Sequence, residues 1–224
     1  MSAKLTLKPS PRARGMRLRV DGRSGAVTLT FPHRVSQRKA IEWAAKQRPW
    51  IEAALAKVPA EVPLAPGGEL PIEGITHRIV WEPGRSRLVK VEQGRIIVGG
   101  PPETLETRLV RWLKRHAGLV LERETHEFAR KAGVTVSRVG IGDPMSRWGS
   151  CSSSGAIRYS WRLILAPDWV RRATVAHEVA HRVHMNHGHE FHALVEALLG
   201  ADPKPARDWL RRDGAALHRI GRAR

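Results

Sequence analysis

Residues 175–195 read VAHEVAHRVHMNHGHEFHALV, and within them His177-Glu178-Val179-Ala180-His181 forms the pattern H-E-x-x-H. On a helix, positions four apart lie one above the other on the same face, so the imidazoles of His177 and His181 can converge on one ion. Zinc suits such a pair, because it accepts neutral imidazole nitrogens at roughly 2.0–2.1 Å and leaves a fourth tetrahedral position open to water. Glu178, beside the first ligand, is placed to take a proton from that water as general base. The surrounding positions, Val170, Ala173, Val175, Ala176, Val179 and Ala180, are apolar. Charged groups buried in such a helix without a task are costly.

A catalytic zinc site needs a third protein ligand, and His184, His187, His189, Glu190, His192 and Glu196 are the candidates. His184 lies two turns from His177, about 10 Å on a straight helix, too far to share its ion. It is expected to support the site indirectly or to face solvent. Asn186 and Gly188 accept the left-handed angles that end helices, so the chain can turn after Met185 and swing His187 back. The spacing H-E-x-x-H-x-x-x-x-x-H is the metzincin one with His184 in place of its glycine. His187 is the expected third ligand, with Glu196 the alternative as a carboxylate ligand.

Residues 146–166, SRWGSCSSSGAIRYSWRLILA, must deliver the chain to this helix. They read as a strand through Trp148 and Cys151, a turn at 152–155, and a strand over 156–165 that enters the metal helix at Pro167. An extended substrate could pair with this hairpin by strand addition. Arg147 and Tyr159 are the candidate substrate-binding residues, able to steady negative charge on the attacked group. Cys151 reads as a small buried residue, since a thiolate added to three histidines would overfill a catalytic zinc site. Beyond the motif, residues 188–199 form a helix closed by Gly200, and 205–220 form a last one before a frayed GRAR tail.

Upstream, residues 102–132 carry the apolar periodicity of a long helix, with Gly133 ending it and a strand at 134–141 following. His116, Glu124, His126 and Glu127 on that helix read as surface or supporting residues. The first hundred residues look strand-rich. Residues 16–20 and 26–31 flank the turn-rich pentad 21–25 as a hairpin, and Ser36 can cap a helix running to Val58 that Pro49 kinks or splits. Short antiparallel strands are expected at 70–72, 76–81, 88–92 and 95–98.

A hydrophobic content of 42% supports a real core, and no apolar run is long enough for a membrane span. The basic amino terminus lacks the apolar segment of a secretory signal, and a single cysteine excludes a disulfide framework. A cytoplasmic location fits these observations. The net charge of +18 suits attraction to phosphate or an arginine-rich solvated surface, and its spread along the chain singles out no groove.

The segments RWGSCSSSGAIRYSWRLILAP and VAHEVAHRVHMNHGHEFHALV resemble those of the YgjP-like metallopeptidases, which are similar in turn to the SprT and WLM zinc peptidases. Trp148-Gly149-Ser150-Cys151, Trp161-Arg162-Leu163, His177-Glu178, His181, Asn186-His187 and Phe191 carry the resemblance, which extends over nearly the whole chain. It implies one zinc ion per chain on His177, His181 and His187, with Glu178 as catalytic acid and base. Ser160 and His192 depart from the asparagine and tryptophan usual in the family. The expected fold class is α+β. A zincin-like core, an antiparallel hairpin plus the metal-binding helix, occupies 101–224, after a β-rich region with one helix at 1–100.

Three functions follow as expectations. A zinc-dependent peptidase acting on polypeptide comes first. A hydrolase of nucleotide phosphoanhydrides, drawn to the positive charge, is the alternative. The third is an SprT-like peptidase that associates weakly with nucleic acid through its basic surface, although no zinc finger, helix-turn-helix or stacking motif supports it.

Overall fold

Alternation of apolar and polar residues builds the first structure in the chain. The computed structural model describes residues 5–221, which divide between Glu61 and Val62 into two compact units. In the first, β1 (Leu5–Ser10), β2 (Arg17–Val20) and β3 (Val27–Pro32) form a sheet in the order β1-β3-β2. The β2–β3 hairpin is the expected one. Its turn is held by the Asp21 carboxylate, which accepts from the Arg23 and Ser24 N–H groups at 3.0 and 2.8 Å. β1 had no assignment from sequence and joins β3 in parallel. The Ser36 hydroxyl caps α1 (Gln37–Lys46), and Pro49, in the first turn of α2 (Arg48–Ala56), divides the expected single helix. Leu29 and Phe31 pack with Ala40 and Ala44 to form this unit's small core.

The second unit opens with β4 (Glu69–Ile72), β5 (Ile75–Trp81), β6 (Lys90–Glu92) and β7 (Arg95–Val98), in the order β4-β5-β7-β6. The two-residue turns Glu73-Gly74 and Gln93-Gly94 have positive φ throughout, the backbone that matches the twist of tight hairpins. The central pair β5–β7 is parallel, which corrects the all-antiparallel expectation. The two hairpins set their own partners, and β7 rather than β6 meets β5.

Leu70, Ile79, Ile96 and Val98 of this sheet share a core with α3 (Leu105–Lys131), whose Leu105, Leu109, Leu113, Ala117 and Leu121 form a buried stripe. The sheet that the sequence grouping places before residue 100 thus packs with the helices that follow it. Next come β8 (Arg138–Gly142), β9 (Gly149–Cys151) and β10 (Ala156–Ser160), ordered β8-β10-β9. β9 and β10 are the expected hairpin, and β8 lies parallel to β10. The strand expected to run to Leu165 stops at Ser160, and a 3-10 helix spans Trp161–Leu165. All five of its residues are buried, a pattern that an alternating strand with one wet face cannot satisfy. Arg162 is buried because it is fully engaged, in a fork with Asp143 and in bonds to the Leu217 and Ile220 carbonyls.

The 3-10 turn feeds α4 (Asp168–Ala180), followed by α5 (His189–Leu199), α6 (Lys204–Arg212) and α7 (Gly214–Leu217). The last helix expected at 205–220 is therefore two, broken at Asp213. Of the frayed tail, residues 222–224 lie outside the described residues. No helix among the described residues is long and apolar enough to cross a membrane.

Ion pairs clasp α4 to α3. Arg171 forks onto Glu124, with both side chains buried, and Arg172 forks onto Glu127 at 2.7 and 3.0 Å. Glu124 is thus a core partner rather than the surface or supporting residue expected from sequence. The Arg172 hydrogen bond, aided by Lys131, holds the Glu127 carboxyl down to about 2. A carboxylate so depressed adds stability above its unfolded value, and that contribution is lost as pH falls through the folded one. We expect the parent to lose about 2–4 °C more than Arg172→Gln in melting temperature between about pH 5 and pH 2, the equivalent of ~1 kcal/mol at a half-exposed pair. Parallel melting curves for the two proteins would show that the pair contributes nothing.

Candidate metal centre

α4 reaches the site as a mostly buried helix: Val170, Ala173, Val175, Ala176, Val179 and Ala180 pack inward, and Arg171 is buried in its pair with Glu124. His177 and Glu178 lie in its last turn, and His181 is the capping residue with φ −64° and ψ −12°. The helix therefore ends a turn earlier than the expected stop after Met185. The chain folds over and returns through Asn186, whose side-chain oxygen accepts from the Gly188 N–H at 3.4 Å. That reversal brings His187 back to the pair. One ring nitrogen each of His177, His181 and His187 lies within 4.8 Å of the others.

These residues fit a metal ion. The Nε2 atoms of His177 and His187 face each other at 3.3 Å. Two imidazoles bound tetrahedrally at roughly 2.0–2.1 Å stand about 3.3–3.4 Å apart. His181 Nδ1 donates to the His184 carbonyl at 3.0 Å, and because a carbonyl only accepts, its Nε2 is left as a free ligand atom. His184 serves the site through its backbone, in line with the supporting role expected of it. Burial, and then the neighbouring imidazoles, push His177 down to about 4, so its ring is neutral and competent to ligate at pH 7. Beneath the cluster the buried ring of Phe191 lies 4.9, 4.5 and 4.7 Å from the rings of His177, His181 and His187. It fixes their orientations by packing.

Glu178 sits beside the cluster and is 6% exposed. Burial raises its carboxyl to about 7, against an opposing pull from Arg147. The closeness of β9 encloses it: a Cβ built on Gly149 would stand 2.5 Å from Glu178 Oε1 and 2.6 Å from its Cγ. A cavity of about 280 Å³ opens here, bordered by Arg147, Trp148, Thr174, His177, Glu178 and His192. Arg147, a candidate substrate-binding residue, lines this cavity. Tyr159 is corrected: its ring is fully buried and its hydroxyl is bonded to Thr125 Oγ1 at 3.0 Å. Burial drives its phenol above the ordinary range, so its tip closes a core hydrogen bond and cannot touch a substrate. Cys151 is half-buried, and burial raises its thiol against thiolate chemistry. His189, Glu190, His192 and Glu196 are exposed and lie outside the histidine cluster.

Reasoning from sequence missed the close approach at Gly149 and the place of Phe191 beneath all three rings. A strand glycine next to Trp148 was a faint signal for the first. Phe191 was legible only as one of the residues that carry the family resemblance.

Three convergent imidazoles beside a buried carboxylate, on an α+β scaffold, are consistent with a metallopeptidase-type domain. The chain belongs to the YgjP-like family: the family model described as YgjP-like, metallopeptidase domain, matches residues 14–213. Comparison with curated proteins and with solved structures returns no match.

Proposed function

We propose that the protein is a zinc-dependent peptidase with a zincin-like core, in which His177, His181 and His187 hold one ion. The observation that carries this reading is the three-histidine cluster with buried Glu178 at its side. Bound zinc supplies Lewis acidity towards a scissile carbonyl and an attacking water. Glu178 takes the proton of that water and passes it to the leaving amine, a role for which a carboxyl raised towards neutrality is suited. Arg147, at the cleft, steadies the charge growing on the attacked group. β9 is an edge strand, so an extended polypeptide can pair along it. With a single cysteine, Cys151, the protein suits a reducing cytoplasm.

One observation favours a second substrate class. Arg147 also borders, with Arg138 and Arg158, an adjoining cleft over β8–β10, and such a cluster suits the phosphates of a nucleotide phosphoanhydride. The test is turnover by zinc-loaded protein on unfolded polypeptide, short peptides and nucleoside triphosphates, with and without a chelator. Peptide cleavage that the chelator abolishes and zinc restores supports the first reading, and phosphate or pyrophosphate release supports the second. Turnover indifferent to the chelator refutes both.

A further inference from the structure

The first 61 residues hold thirteen Lys and Arg against four Asp and Glu, a net +9 of the chain's +18 in about a quarter of its length. The charge is therefore not evenly spread, contrary to the expectation from sequence. Three of the four acids are committed within the unit. Glu42 pairs with Arg38, Glu52 pairs with Arg48, and Asp21 holds its own turn. The unit's field is left to its cations.

The register of the sheet gathers several of them on one face. Leu5, Leu7, Leu18, Leu29 and Phe31 point to the core, so the alternate positions point outward. Across the strands Lys8 stands beside Thr30 and Thr30 beside Arg17, while Thr6 stands beside Thr28 and Thr28 beside Arg19. The outward face is thus a shallow trough, with threonines on the central strand and long cations on its flanks, and Lys8, Arg17, Arg19, Thr28 and Thr30 line a concavity there. None of the outward-facing residues of β1, β2 and β3 is acidic or aromatic.

We propose that this face binds the phosphate backbone of duplex DNA. Arg17 and Arg19, two apart on one strand, are about 6.6–6.8 Å from each other, and Lys8 lies two strand spacings across, about 9.6 Å. These cations span neighbouring phosphates of a polyanion that carries a charge every ~1.7 Å of its axis. Threonine hydroxyls donate to phosphate oxygens. Single strands and RNA loops are gripped by stacking their bases on aromatic side chains, which this face lacks, so it meets a duplex and reads backbone rather than sequence. Every group involved belongs to the amino-terminal unit, so binding is independent of metal.

The test is the anisotropy of a labelled DNA duplex of about 20 base pairs, long enough to cover the face, titrated with full-length, metal-stripped protein across a salt series. Comparison is with the triple variant Lys8→Gln, Arg17→Gln, Arg19→Gln, whose melting curve confirms that it is folded. With three phosphate contacts removed, the slope of log K against log salt falls by about 2–3 and affinity drops on the order of 10–10²-fold. The pair Arg111→Gln, Arg115→Gln on α3 controls for net charge and retains the parent's binding. The proposal is overturned if the triple variant keeps the parent's slope and affinity, or if the α3 pair loses as much per charge removed. Tighter capture by anionic vesicles or by duplex RNA of the same length also overturns it.

Discussion

On the proposed reading, the Glu178→Gln protein is expected to retain one zinc ion per chain and to turn over peptide with a kcat about 10²–10⁴-fold below that of the parent, the usual worth of a general acid–base group. The argument rests on where Glu178 is. The histidine cluster is complete without it, so removing its charge leaves the ligand set whole. The amide fills the same volume against Gly149, so the wall of the cleft is kept as well. What disappears is the basic oxygen. The variant should melt no lower than the parent, because a carboxyl that burial raises to about 7 costs stability whenever it is ionised. Metal analysis, a thermal melt and steady-state kinetics separate the possibilities. Undiminished turnover refutes the proton-transfer role. Loss of metal together with activity would instead make Glu178 a ligand.

The histidine pair is legible in sequence because its geometry is local: one helical turn sets the spacing of His177 and His181 whatever surrounds it. His187 is legible for a related reason, since Asn186 and Gly188 announce a reversal. The early end of α4 was hidden. It is accompanied by a bond from His181 Nδ1 to the His184 carbonyl, which exists only once the reversal has formed. Tyr159 misled because alternation on β10 identifies a face without saying what covers it. Thr125, which takes its hydroxyl, is 34 residues away. The parallel pairs β1–β3 and β5–β7 and the Arg171–Glu124 fork are likewise bargains between distant segments, and no local pattern encodes them.

Gly149→Ala should lower kcat about 10²-fold while zinc content and melting temperature stay near those of the parent, since a displacement of about 1 Å in a reacting group costs that much. The backbone at Gly149 lies outside the positive-φ set, so alanine can adopt it. The obstacle is through space: the new methyl would overlap the Glu178 carboxyl group, with 2.5 Å to Oε1 and 2.7 Å to Cδ. The end of a side chain yields more readily than a strand, so Glu178 is expected to change rotamer and leave the place from which the proposed mechanism has it deprotonate a water. A double-mutant cycle isolates this route. Placed on top of Glu178→Gln, the alanine should cost almost nothing more, because the misplaced group no longer carries a proton. If it costs the same 10²-fold in both backgrounds, its effect runs through β9 itself, and the strand's part in holding an extended substrate becomes the better explanation.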